Sequence, residues 1–197
     1  MISIKKIGII GISCLLVFGV FWIYYDWTAA EKNTEWQLHA TGINIKNNRQ
    51  IFTWINAPIN GSLIDFFNQK TALENIPLHK SIITKELKIS RISPNIWRIK
   101  SDEIIGILIA AQITETELQN NLIQPIALQS NYWVLETKTE FLSSYLPSPA
   151  QSVFILDSRK LTKFWRHWSE KNQIPVVPVA SFGDQVLQII DTKIIIP

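Results

Sequence analysis

Few residues in this chain have types and spacing that could do chemistry, and two carboxylates lead them. Glu136 follows the short apolar run 132–135 (YWVL), and Asp157 follows 152–156 (SVFIL). Runs of that length read as buried strands, and ligands of α/β sheets gather at strand C-terminal ends. Glu136 and Asp157 are therefore the candidate catalytic residues, able to share acid–base work or hold a cation. The plainer reading is that Glu136 flanks a helix N-terminus, where the helix dipole favours an acid. The other chemical types are scattered. His39, His79 and His167 form no HxH, HxxxH or HExxH spacing, and no GxSxG, Walker or GxGxxG motif occurs. Ser143, Ser144 and Ser181 have no recognisable base. Cys14 is the only cysteine and lies in the apolar N-terminal stretch. No intramolecular disulfide can form, and no cysteine metal site can exist beyond that stretch. No cofactor and no metal are expected, and catalysis is the less favoured reading.

Binding residues are easier to nominate. Residues 80–100 carry six basic side chains and one acid, Glu86, whereas 102–157 carry seven acids and one base, Lys138. Lys85, Lys88, Arg91 and Arg98 are candidate contacts for a polyanion or anionic lipid, provided that they share one face. Nucleic acid is the weaker partner. Of 19 basic residues against 16 acidic, Lys5 and Lys6 precede the apolar stretch, which leaves 17 against 16. Trp165 and Trp168 fall with Leu161 and Phe164 at helical spacing. They are candidate docking residues, although such a stripe more often faces a core.

The elements that must position these groups begin with an anchor. Residues 7–25 (IGIIGISCLLVFGVFWIYY) contain no charge and are long enough to cross a bilayer core as one helix. Lys5 and Lys6 stand before them; Trp22, Tyr24, Tyr25 and Trp27 crowd the far end. Basic flanks favour the cytoplasm and aromatic residues favour the interface, so the N-terminus is expected inside. The apolar core is too long for a cleaved signal peptide. The expected organisation is a cytoplasmic 1–6, a membrane anchor 7–25, a stalk 26–34 and an extracytoplasmic domain 35–197, in a bacterial inner membrane.

The domain reads as α/β with one mixed sheet and βαβ-type units in its C-terminal half. A hairpin is expected from 35–46 and 49–55 around Asn47-Asn48, then a helix opened by the capping box at Ser62 and Asp65. A helical turn restarts at 71–74. Strands follow at 85–92, 96–100 and 103–111, the last a continuous apolar run suited to a sheet centre. Helices are expected at 114–123, 137–146 and from a cap at Ser158; strands at 132–135, 152–156, 176–179, 185–190 and 194–196.

The stretches PNIWRIKSDEIIGILIAAQITETELQNNL and NYWVLETKTEFLSSYLPSPAQSVFIL, with Asn60-Gly61-Ser62-Leu63 and the turn at Phe182-Gly183-Asp184, carry a family likeness. In their order over residues 51–190 the chain resembles the metallo-β-lactamase-fold domain of competence DNA-uptake proteins. The departures are equally specific. Asn56-Ala57-Pro58-Ile59-Asn60 stands where the family has HxHxDH, Ala111-Gln112 where it has Gly-Asp, and Glu136-Thr137 where it has a His-containing loop. The resemblance thus implies a fold relative without metal-activated water. Together these features point to a membrane-anchored binding or assembly domain with an envelope protein partner. A degenerate hydrolase and a polyanion-binding protein are the alternatives.

Overall fold

The computed structural model of the chain describes residues 15–22, 34–47, 50–55, 71–84, 87–101, 104–121, 130–146, 150–190 and 192–196. The chain divides into two units, Met1–Asn33 and Thr34–Pro197. In the first, residues 15–22 are helical and their large apolar side chains are 66–74% exposed. The rest of the expected 7–25 span, and the stalk up to residue 33, lie outside the described residues. Among the described residues no helix is long and apolar enough to cross a membrane.

The second unit opens with an antiparallel meander of β1 (Thr34–His39), β2 (Gly42–Asn47) and β3 (Gln50–Ile55), and β4 (Thr71–Ala72) then pairs parallel to β3. A 3-10 turn at Leu73–Asn75 leads away from this sheet. The strands β5 (Ser81–Ile83), β6 (Leu87–Ser93), β7 (Ile96–Ser101) and β8 (Ile105–Ile109) are successive antiparallel neighbours. From there pairing turns parallel through β9 (Tyr132–Leu135), β10 (Ser152–Ile155) and β11 (Val176–Pro178). Between them stand α1 (Glu115–Asn121), a 3-10 turn at Glu140–Ser144 and α2 (Lys163–Asn172). After another 3-10 turn, Val179–Phe182, β12 (Leu187–Ile190) and β13 (Lys193–Ile195) rejoin the first sheet beside β1.

The fold is mixed α/β, but with two sheets rather than the single one expected. Their orders are β13-β12-β1-β2-β3-β4 and β11-β10-β9-β8-β7-β6-β5. The reason lies in side-chain alternation. Trp36, Leu38, Ile43, Ile45, Phe52 and Trp54 project from one sheet onto Leu87, Ile89, Trp97, Ile99, Leu108 and Phe154 of the other, all buried in one cluster. One sheet alone would leave that layer in water. The opposite side of the second sheet buries Ile107, Ile109, Trp133, Leu135 and Val153 with Trp165, Leu118 and Leu142. The run 105–109 is therefore covered on both faces at the sheet centre.

Local differences follow from local competition. The expected two-stranded hairpin is three-stranded, because the chain turns at Ala40-Thr41, where the Thr41 N–H donates to His39 Nδ1 at 3.2 Å. The expected helix 137–146 is only the five-residue 3-10 turn, without a side-chain cap and closely followed by Pro147-Ser148-Pro149. The helix expected from Ser158 begins at Lys163. Thr162 Oγ1 accepts the Trp165 N–H at 3.2 Å, while the Ser158 hydroxyl donates to the Lys160 carbonyl at 2.8 Å and holds a turn instead. The expected helix at Ser62 lies outside the described residues.

Candidate functional site

Parallel pairing brings the ends of β8, β9 and β10 to one edge. The hydrogen-bond ladder runs past the strands: Glu136 N–H donates to the Ile109 carbonyl at 2.9 Å and Asp157 N–H to the Glu136 carbonyl at 3.1 Å. The Ala111 N–H donates to Glu136 Oε2 at 2.5 Å. Glu136 and Asp157 are thus neighbours at the strand ends, Glu136 partly buried and Asp157 exposed. Burial raises the Glu136 pKa and the Asp157 charge raises it further, against the Ala111 N–H. Burial also raises the pKa of Asp157, while the Lys138 charge and the Thr137 hydroxyl pull it down. Such a pair can hold a proton more tightly than a free carboxyl does.

Raised carboxyl pKa values have a sign in stability. The folded state binds protons more tightly than the unfolded one, so stability falls as pH rises from the ordinary carboxylate range through the folded pKa. Glu136→Gln keeps an oxygen acceptor for the Ala111 N–H and removes the charge. The variant is expected to melt above the wild type near pH 7, with the difference closing toward about pH 4. Thermal melts across that window check it; a constant difference would count against a charge effect.

A second carboxylate is structural. Glu117, on α1, accepts from the Ser93 hydroxyl, from the Asn95 N–H at 3.1 Å and from Asn95 Nδ2 at 3.0 Å. Its own N–H is capped by Thr114 Oγ1 at 3.1 Å. Burial disfavours its charge, but these donors outweigh burial and hold its pKa below the usual value. Glu117 thus latches α1 to the β6–β7 turn. Charge-assisted bonds of this kind predict a loss of about 2 kcal/mol in Glu117→Ala, read by urea unfolding at neutral pH. Because this pKa is depressed, the latch is present above the ordinary carboxylate range and is lost as pH falls through the folded pKa.

The histidines do not join the carboxylates. His39 is buried at the end of β1, with Nδ1 2.8 Å from Thr41 Oγ1; burial lowers its pKa against the nearby Asp184 charge and the Gly183 carbonyl. His79 is exposed in a loop with positive φ, and His167 is exposed on α2. Among the described residues no group of three or more His, Cys, Asp or Glu could hold a metal ion.

The basic segment separates by strand parity. Lys88 and Arg98 point to the outer side of the second sheet. Arg91 shares the parity of buried Ile89 and lies over the Trp97 ring at 5.4 Å. Its guanidinium donates to the carbonyls of Glu74 (2.7 Å), Ile76 (3.2 Å) and Pro94 (3.2 Å), clamping the link between the sheets. Lys85 lies outside the described residues. Lys100 and Ile83, which sequence reasoning did not nominate, join the outer face through cross-strand register. Their signal was alternation from Ile89 and Ile99, legible only once the strand partners are known.

Trp165 is fully buried, and Trp168 is partly buried against the same cluster. Trp165 Nε1 donates to the Lys138 carbonyl at 2.9 Å, so this indole packs beneath the loop that carries the cation beside Asp157. Compared with known protein families, curated proteins and solved structures, the chain matches none.

Proposed function

We propose that this protein is a single-pass envelope protein, N-terminus in the cytoplasm, whose extracytoplasmic α/β domain binds a partner rather than catalysing a reaction. The observation that carries this reading is the helical segment 15–22, whose large apolar side chains are 66–74% exposed inside a charge-free stretch of nineteen residues. Water would not tolerate so continuous an apolar surface, and a bilayer would. The flanking Lys5 and Lys6 and the aromatic residues beyond position 21 support the orientation. The burial of Trp165 and the carbonyl clamp made by Arg91 leave the partner surface elsewhere in the domain. The test has two parts. Membranes washed with alkaline carbonate should retain the full chain, and protease added outside intact cells or spheroplasts should remove the domain. Crosslinking in those membranes should recover a partner. Release by carbonate would refute the anchor, and recovery only as a free monomer would refute the binding role.

A second reading, a metallo-β-lactamase-like fold relative that has lost its metal site, has its own support. Ala111, next to position 112 where the resemblance expects a ligand Asp, donates its N–H to Glu136, which stands in place of the His-containing loop, with Asp157 beside them. A carboxylate held by main chain is a poor replacement for the expected His and Asp ligands. Calorimetric titration with zinc or manganese should give no site of micromolar affinity, and such a site would overturn the loss of metal chemistry. Fold alone would assign no activity.

A further inference from the structure

The outer face of the β5–β6–β7 ribbon is built as two rows. Register sets Ile83 opposite Lys88 and Lys88 opposite Lys100; beside them run Ser81, Ser90 and Arg98, also directly paired. The alternating partners Ile89 and Ile99 are fully buried, which forces Lys88, Lys100 and Arg98 outward. Lys88 and Lys100 are exposed, and Ile83 between them and the sheet edge is 70% exposed. Among the described residues neither row contains a carboxylate. Two lysines directly opposite on neighbouring strands repel each other, so the pair destabilises the sheet unless an anion lies across it.

We propose that this face docks on an anionic phospholipid surface, with Lys88 and Lys100 on lipid phosphates and Ile83 entering between headgroups. The inference rests on the anchored reading above, because the anchor is what brings the face to a bilayer. Residues 23–33 number eleven and cannot span more than about 40 Å, so an anchored domain meets the surface at high effective concentration. Charge complementarity supplies the attraction, and an exposed isoleucine among lysines favours a lipid interface over a nucleic-acid backbone.

The experiment uses the full chain with Cys14→Ser and Ser81→Cys, labelled at the one remaining thiol with a polarity-sensitive dye and placed in nanodiscs. Discs of phosphatidylcholine are compared with discs containing about 30 mol% phosphatidylglycerol. The expected result is a blue shift in the anionic discs alone, reversed by about 0.5 M NaCl. Lys88→Gln with Lys100→Gln should lower the docked-to-undocked ratio about 25-fold, about fivefold per lysine. Equal emission in both lipids, or a shift untouched by the double substitution, overturns the proposal. So does a shift produced by a short DNA duplex and not by anionic lipid, which would give the face to nucleic acid. Carbonate resistance separates the two readings: a retained chain without a dye response sinks the docking face alone, whereas a released chain sinks the anchor.

Discussion

Gly106→Ala is expected to lose about 3 kcal/mol of stability and to melt about 6–12 °C below the wild type. Gly106 lies in β8, and a Cβ there would stand 2.2 Å from Trp36 Cη2 and 2.8 Å from Cζ3. The indole cannot retreat, because Trp36 is fully buried in β1 between β2 and β12. A methyl group would therefore push the two sheets apart or drive a rigid ring off its rotamer. Glycine inside a strand carries an entropic cost, and alanine without a clash would be stabilising. The sign of the result thus reports whether the sheets meet at this contact. The companion variant Trp36→Phe removes the outer ring atoms and also the buried Trp36 Nε1, which has no hydrogen-bond partner among the described residues. Gly106→Ala with Trp36→Phe should be more stable than the sum of the two single losses by at least about 1 kcal/mol. An unchanged melting temperature in Gly106→Ala would refute the packing of these sheets as described.

The contrast between Gly106 and Glu136 shows what a linear sequence can convey. The apolar runs ending at Leu135 and Leu156 carry strand and length information locally, so the adjacency of Glu136 and Asp157 was readable as soon as those strands were taken as parallel neighbours. The role of Gly106 is not local, because it depends on Trp36, far back in the chain and in a different sheet. The division into two sheets was hidden for the same reason: β1 and β12 are paired across almost the whole domain, and nothing near either strand encodes that choice. Where two local signals competed, packing decided. Ser158 and Thr162 are both sound helix caps, and starting the helix at Thr162 places Trp165 in the core. Strand parity decided the basic segment. Lys88 and Arg91 differ by an odd number of positions, so one faces outward and the other inward, and a register shift between Arg91 and Ser93 follows at the hairpin end. The expected capping box at Ser62 and most of the anchor fall outside the described residues.

Trp165→Ala is expected to cost about 3–5 kcal/mol, the range for deleting a fully buried aromatic side chain. The indole supplies more than area. Phe164 and Trp168 meet it edge-on at 5.7 and 5.6 Å, and its Nε1–H satisfies the Lys138 carbonyl. Trp165→Phe separates these contributions. It keeps most of the apolar contact and removes the donor, for an expected loss of about 1–3 kcal/mol, part of which is the Lys138 carbonyl left without its partner. The two variants also test how the core positions the carboxylate pair. Lys138 is the cation that draws the Asp157 pKa down, and the Trp165 bond fixes the main chain from which Lys138 extends. Releasing that bond should weaken the Lys138–Asp157 attraction and leave burial less opposed, so the Asp157 pKa should rise further in Trp165→Phe. Carboxyl-carbon NMR titration of Asp157 in the two proteins reads this directly. A destabilised variant with an unmoved Asp157 titration would assign Trp165 to packing alone. An upward shift that accompanies a modest loss of stability would identify the α2 core as the support on which the strand-end carboxylates are held.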